Sequence, residues 1–334
     1  MTAALDDLDR RLLNEVQGDF PLTAKPFAAL AERLEIDESE VMRRLEQARS
    51  SGVLRHLSAI FDVFRIGYRS TLVAMHVPDE RLDDAAAVIS AHPAVSHNYG
   101  REHFFNLWFV IAVPRSADME GIIADLGRRA GSTRTITLPA LKLYKIDVEF
   151  DMVGGKGQMT RRNGQRSKPR RDLTADEIEI IRQMQSDLAL VSEPFVAPAA
   201  KLGVSVDELL SRLHAMREEG IMRRFAGVLR HREAGFLANG MACWIVPEER
   251  AEEVGEIFSS HPKVSHCYKR PTYDDWPYST FTMIHAHERA ECEAVAAELS
   301  GKTGITDYEI LYSHTEYKKE RVQYFLEDSV AEAV

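Results

Sequence analysis

The chain is poor in cysteine. Its three cysteines, Cys243, Cys267 and Cys292, are odd in number, lie in the second half and have no C-x-x-C spacing. That argues against a disulfide framework and against a structural zinc site. No apolar run reaches the roughly 18 residues that a membrane-spanning helix needs. The start, Met1-Thr2-Ala3-Ala4-Leu5-Asp6-Asp7, lacks a basic region followed by an apolar stretch, so no signal peptide is expected and the cytoplasm is the expected location. Positive charge is also short, with 42 Lys and Arg against 52 Asp and Glu and a net charge of -10. Seven of those cations, Lys156, Arg161, Arg162, Arg166, Lys168, Arg170 and Arg171, sit in segment 154–171, which has no acidic residue. The rest is more acidic still and a poor general phosphate binder, although a local basic pocket stays open.

What is present is a repeat. Ser96-His97-Asn98-Tyr99-Gly100-Arg101 returns as Ser265-His266-Cys267-Tyr268-Lys269-Arg270, and His92-Pro93 returns as His261-Pro262 at the same offset of 169 residues. Upstream, Pro26-Phe27, Arg44-Leu45, Gly52, Arg55 and Gly67 return as Pro194-Phe195, Arg212-Leu213, Gly220, Arg223 and Gly235. Two copies of one module predict an internal pseudo-dimer. A shared imidazole, phenol and guanidinium on a short segment suit an anionic ligand that must be protonated.

Helical periodicity predicts three helices over 9–55, with Pro26 opening the second and Gly52 stopping the third. Val53–Phe61 reads as a strand pair or wing, giving a winged helix-turn-helix. Strand, helix, strand, strand, helix and a long strand over 134–148 follow, a ferredoxin-like βαββαβ plan. The expected class is therefore α+β, a tandem winged helix-turn-helix plus ferredoxin-like module. The expected domains are 1–65 and 66–153, a basic flexible linker 154–172, then 173–234 and 235–334. The second copy carries an insertion, Pro271–Tyr278, read as a lid or specificity element. A C-terminal helix is expected over about Glu316–Glu327, and the two sheets are expected to pack face to face.

Strand alternation places His97, Tyr99, Arg101 and His103 on one face if the strand stays regular, and likewise His266, Tyr268 and Arg270. At ~3.3 Å per residue this face spans roughly 14 Å. Leu107, Phe109, Trp276 and Phe281 are candidates for an apolar wall. Cys267 should point the other way. His92 and His261 are expected to be structural, and His285 and His287 to be satisfied side chains rather than a metal pair.

At the level of the fold the chain resembles the Lrp/AsnC regulators. The longer segments Ser96–Phe109, Val264–Tyr278, Gly220–Arg232 and Glu316–Arg321 resemble the siroheme decarboxylases, and the chain looks like their two subunit types fused. The resemblance implies a cofactor-independent carboxy-lyase that removes two acetate carboxyls from siroheme, giving 12,18-didecarboxysiroheme. Haem d1 assembly and the alternative haem route both remain open, other haem-pathway enzymes are conceivable partners, and a homodimer is compatible with the sequence. The candidate catalytic residues are His97, His266, His103, Tyr99 and Tyr268. The candidate substrate-binding residues are Arg101, Arg270, Arg55, His56, Arg223, Arg224, His231 and Lys318. No separate metal is expected, because the substrate carries iron; an axial histidine is compatible with the sequence, which does not choose one. The alternatives are a DNA-binding regulator and a non-catalytic tetrapyrrole binder. Against the first, the N-terminal ends of the two recognition-type helices, Asp37-Glu38-Ser39-Glu40 and Ser205-Val206-Asp207-Glu208, are acidic and repel phosphate.

Overall fold

The structure, a computed structural model, describes residues 5–18, 20–146, 171–229, 238–286 and 288–326. Most of the linker, His231 and His287 lie outside them. The described residues divide into two compact units, 5–66 with 171–229 and 67–146 with 238–326.

The first unit holds both helical triads. Numbered along the chain they are α1 (Asp7–Gly18), α2 (Pro26–Leu34) and α3 (Glu38–Ser50), followed by strand β1 (Leu54–Phe61), and α6 (Ala175–Met184), α7 (Val196–Leu202) and α8 (Val206–Glu218), followed by β7 (Met222–Leu229). Pro26 opens α2, and Gly52 and Gly220 leave α3 and α8 with φ of 80° and 75°, a region that costs glycine little. Each copy contributes one strand to the wing region rather than a hairpin. β1 pairs antiparallel with β7, with Leu54 opposite Leu229 and Ala59 opposite Phe225. A lone strand leaves its backbone N–H and C=O groups open, and the other copy closes them. Phe20, Phe195 and Phe225 pack beneath, with Phe20 and Phe225 5.4 Å apart and Phe195 and Phe225 5.9 Å apart.

The second unit holds both α+β modules. The first is β2 (Tyr68–His76), α4 (Leu82–Ala91), β3 (Val95–Arg101), β4 (Leu107–Pro114), α5 (Met119–Ala130), β5 (Arg134–Leu138) and β6 (Lys142–Ile146). The second is β8 (Ala238–Trp244), α9 (Ala251–Ser260), β9 (Val264–Lys269), β10 (Thr280–Ala286), α10 (Arg289–Thr303) and β11 (Tyr308–Lys319). Their strands run in one order, β5-β2-β4-β3-β11-β8-β10-β9-β6. The copies exchange their last strands. Tyr308–Tyr312 of β11 pairs with β8 of its own copy, and Ser313–Lys319 crosses to β3 of the first. Reciprocally, β5 pairs with β2 and β6 pairs with β9. The expected long strand over 134–148 therefore breaks at Pro139, which has no N–H for a ladder.

The same exchange overturns the expected C-terminal helix. Residues through Lys319 are strand, and no helix occurs over 320–326. Thr315 and Tyr317 favour extended backbone, and pairing with β3 supplies the hydrogen bonds a solitary helix would have made internally. Each exchanged strand locks onto the other copy's helix with a Tyr-Lys pair. The Tyr144 hydroxyl donates to the Ala251 carbonyl (2.9 Å) and Lys145 to the His261 carbonyl (3.0 Å). Tyr317 donates to Asp83 (2.6 Å) and Lys318 to the Ser90 carbonyl (2.8 Å).

Three buried clusters follow. Two lie between each sheet and its own helices. The third joins the helix-free faces of both sheets and contains Ala74, Phe105, Trp108, Ile136, Leu138, Met241, Cys243, Trp276, Phe281 and Leu311. Each large side chain there contributes ~1.5–3 kcal/mol by leaving water. Among the described residues no helix is long and apolar enough to cross a membrane.

Candidate active site

β3 and β9 carry the repeated cluster. On the helix side, the Asn98 amide donates to the Ala86 carbonyl of α4 (3.0 Å), and the Cys267 thiol faces the Gly255 carbonyl of α9 (3.9 Å). The alternating residues His97, Tyr99 and Arg101, and His266, Tyr268 and Arg270, therefore face the shared interior between the sheets. The two imidazoles are held alike. His97 Nδ1 lies 2.9 Å from Ser96 Oγ, and His266 Nδ1 lies 2.8 Å from Ser265 Oγ. Each serine also reaches a carbonyl on the neighbouring strand, Val110 at 3.4 Å and Met283 at 3.3 Å. The phenol follows on the same face, with His97–Tyr99 and His266–Tyr268 ring centroids 6.2 and 6.0 Å apart.

The two arginines end the cluster at the points where the chain crosses between sheets. Arg101 Nη1 donates to the Leu311 carbonyl (2.8 Å), where β11 leaves β8 for β3. Arg270 Nη1 donates to the Leu138 carbonyl, where β5 ends before the corner to β6. Both guanidiniums lie over aromatic rings, Arg101 over Tyr99 and Trp108 and Arg270 over Tyr268 and Phe281. No Asp or Glu among the described residues pairs with either, and the buried Nε of each has no hydrogen-bond acceptor there. Burial pulls both down to a pKa of about 10, which leaves them charged at neutral pH. A cation placed so is costly unless an anion joins it.

His103 does not continue the strand. β3 ends at Arg101, and the His103 N–H turns back to the Arg101 carbonyl (3.0 Å). Its ring still reaches the interior. Nδ1 accepts from the Phe105 N–H (2.9 Å), so the proton resides on Nε2, which lies 3.6 Å from Glu309. Burial lowers its pKa, and Glu309 opposes that. The Pro271–Tyr278 insertion is a packed strap rather than a lid. Trp276 is fully buried against His103, Phe105, Trp108 and Tyr278, the Tyr273 hydroxyl donates to the Thr137 carbonyl (2.5 Å), and Asp275 pairs with Arg134 (2.7 Å). Of the expected apolar wall, Trp276 and Phe281 face the interior, but Leu107 and Phe109 face the helices. The alternation in β4 runs one residue out of step with that expectation, and the ring on the interior face is Trp108.

The remaining candidates lie elsewhere. Lys318 stands opposite Asn98, on the sheet face turned away from the His97 ring, and caps α4; Lys145 does the same for α9. Arg55, His56, Arg223 and Arg224 belong to the first unit. There Arg223 is committed to Asp62 (2.9 Å), and Arg224 reaches the Gln17 carbonyl (3.4 Å). His92 and His261 accept backbone N–H groups in the turns after their helices (3.2 Å each). His285, expected as a satisfied side chain, donates from Nδ1 to Asn239 Oδ1 (2.5 Å). Burial holds it at a pKa of about 4, with the Lys319 charge adding to the effect. Sequence reasoning missed Trp108, Glu309 and the Asn239–His285 pair; aligning the two copies strand by strand would have singled out the last. No group of three or more His, Cys, Asp or Glu among the described residues could hold a metal ion.

Two helix-turn-helix elements and two α+β modules that exchange strands, with basic and titratable groups turned into the space between the sheets, define a tandem protein of Lrp/AsnC-like build. In line with that, residues 65–145 and 233–318 match an AsnC-like ligand binding domain. Residues 9–55 and 177–223 match the siroheme decarboxylase NirDL-like HTH domain. The chain is 35% identical over 320 residues to the siroheme decarboxylase of Hydrogenobacter thermophilus, covering 95% of each. Crystal structures of the siroheme decarboxylase NirDL superpose with TM-scores of 0.75 for the protein and 0.74 for its co-complex with an iron-uroporphyrin III analogue. Both are 32% identical, and the first covers 98% of this chain and 97% of its own. The chain belongs to the siroheme decarboxylase family.

Proposed function

We propose that this protein decarboxylates siroheme at two acetate side chains, giving 12,18-didecarboxysiroheme, and that it needs no cofactor beyond the substrate. The carrying observation is the pair Arg101 and Arg270, cations turned into an interior where no carboxylate among the described residues pairs with them. Siroheme brings eight carboxylates, and guanidinium binds carboxylate by charge-assisted, paired hydrogen bonds. The aromatic interior suits the apolar face of the ring, and the family membership supplies the substrate class.

The chemistry needs one proton per carboxyl lost. A histidine, His97 or His266, protonates the pyrrole carbon next to the one that bears the acetate, which leaves the acetate-bearing carbon electron-poor. The C–C bond then breaks, carbon dioxide leaves, and its electron pair forms an exocyclic double bond on the ring. Transfer of a proton from the ring carbon to the exocyclic carbon completes the methyl group. The balance is R–CH2–COO⁻ plus H⁺ giving R–CH3 plus CO2, so the ring itself serves as the electron sink. Imidazole titrates near working pH, and a positioned general acid contributes ~10²–10⁴-fold. Tyr99 and Tyr268 orient the acetate, and cationic placement of the polyanion contributes the remainder. The acidic N-terminal ends of α3 and α8 speak against DNA as the ligand.

The test is anaerobic incubation of the purified protein with siroheme alone. Mass spectrometry should show the loss of one and then two carbon dioxide units. An unchanged mass with a shifted absorption spectrum would instead mean binding without catalysis.

A further inference from the structure

In both copies the donor histidine sits at the same irregularity of the sheet. On β3, Val95 stands opposite Ile111 of β4, but His97 stands opposite Val110. Two residues of β3 therefore advance against one of β4, and Ser96 is the extra residue. β9 repeats this against β10, where Val264 stands opposite Ile284 and His266 opposite Met283, so Ser265 is the extra residue. Each is a β-bulge, a device that re-aims a side chain. A regular strand turns neighbouring side chains to opposite faces, which would part each serine from the histidine that follows it. The bulge brings them together, with Ser96 Oγ 2.9 Å from His97 Nδ1 and Ser265 Oγ 2.8 Å from His266 Nδ1.

The serines are themselves fixed. Both are buried, and each Oγ reaches the carbonyl of the residue that opposes its bulge, Val110 at 3.4 Å and Met283 at 3.3 Å. A carbonyl only accepts, and a hydroxyl has one hydrogen to give. With that hydrogen on the carbonyl, Oγ is left to accept, and the imidazole meets it with an Nδ1–H. The opposite arrangement, with the hydroxyl donating to Nδ1, would set Oγ against the carbonyl lone pair to lone pair. The same carbonyl, hydroxyl and imidazole line up in both copies, so the arrangement is not an accident of one strand.

We infer that Ser96 and Ser265 are positioning residues that fix the tautomer of His97 and His266, so that Nδ1–H stays on the serine and Nε2 delivers the proton to the substrate ring. The inference rests on the decarboxylase reading above. Which imidazole nitrogen carries the proton is set by the hydrogen bond that the other makes. Protonation of either histidine adds its hydrogen at Nε2 and disturbs neither bond behind the ring. Loss of that hydrogen to the pyrrole carbon restores the neutral imidazole with Nδ1–H still on Oγ. No hydroxyl has to turn and no second proton has to move during the transfer. The two bonds also hold the plane of the ring, and with it the direction in which Nε2 points.

The experiment uses the full chain and has two readouts. The first is imidazole 15N NMR of the substrate-free protein at about pH 9, where imidazoles are neutral. Signals are assigned by their loss in H97A and H266A. Both histidines should show the Nδ1–H tautomer in wild type, and the affected ring should move to Nε2–H in S96A and in S265A. The second is anaerobic single turnover with siroheme. S96A/S265A should release the first carbon dioxide ~10–100-fold more slowly, because the donating imidazolium loses a hydrogen-bond partner. S96T/S265T keeps both hydroxyls and should recover most of the rate, and both double variants should bind siroheme within about threefold of wild type in an absorption titration. The inference fails if either wild-type ring is the Nε2–H tautomer, if S96A/S265A is slowed less than about 10-fold, if threonine does not restore what alanine loses, or if the loss lies in affinity rather than rate. Failure of the underlying reading looks different, because then the wild-type protein releases no carbon dioxide while its NMR pattern stands.

Discussion

Acid should destabilise this protein through a single buried imidazole more than its surface chemistry suggests. His285 is held at a pKa of about 4 against an ordinary 6.5. Its folded value is depressed, so the unfolded chain binds the proton first and stability falls as pH drops from 6.5 towards 4. At pH 4.5 the unfolded imidazole is protonated and the folded one largely neutral, a net loss on the order of 2–3 kcal/mol. His92, His103 and His261 are lowered too, and they push stability the same way. The assay is urea denaturation at pH 7 and pH 4.5 for wild type and for H285Q, which keeps an amide near Asn239 but cannot titrate. The variant should lose on the order of 2–3 kcal/mol less than wild type between the two pH values. Equal pH dependence in the two proteins would refute the assignment of a buried neutral imidazole at this position.

Further expectations follow from the geometry. W276A removes the indole at the centre of the shared cluster and should cost ~3–5 kcal/mol in chemical denaturation. A cost below ~1 kcal/mol would mean that the strap is not part of the core. R101M should weaken siroheme binding by roughly 10–100-fold in an absorption titration, with R101K intermediate because a point charge replaces a fork. Unchanged affinity would make Arg101 a strand clamp alone. K318M should lower stability by ~1 kcal/mol through loss of the α4 cap and leave siroheme affinity within about twofold. A large affinity loss would return Lys318 to the site.

Much of the fold was legible because its signals are local. Pro26 and the glycines after α3 and α8 mark helix ends, and the repeat of Ser-His-x-Tyr-x-Arg marks two equivalent strands. What escaped were the pairings over long sequence distance. Nothing within Leu54–Phe61 says that its partner is Met222–Leu229 rather than a local hairpin. In Glu316–Lys319 Tyr317 alone favours strand, and the charge and length of the segment suit a helix until β3 supplies the ladder. A hint existed in the repeated Tyr144-Lys145 and Tyr317-Lys318, which mark the exchanged strands once both copies are aligned. The site shows the same division. Alternation along β3 and β9 gathered His97, Tyr99 and Arg101 and their counterparts on one face. It failed for His103, where the strand stops, and for Leu107 and Phe109, where the parity was one residue out.

The central claim is that each lost carboxyl is replaced by a proton, with no external electron acceptor or hydrogen-atom donor. Incubating siroheme with the protein anaerobically in D2O, without any added cofactor, tests it most directly. Two molecules of carbon dioxide should be released per siroheme, and each new methyl group should carry solvent deuterium. Methyl groups free of deuterium, or no carbon dioxide until a redox cofactor is supplied, would contradict the account.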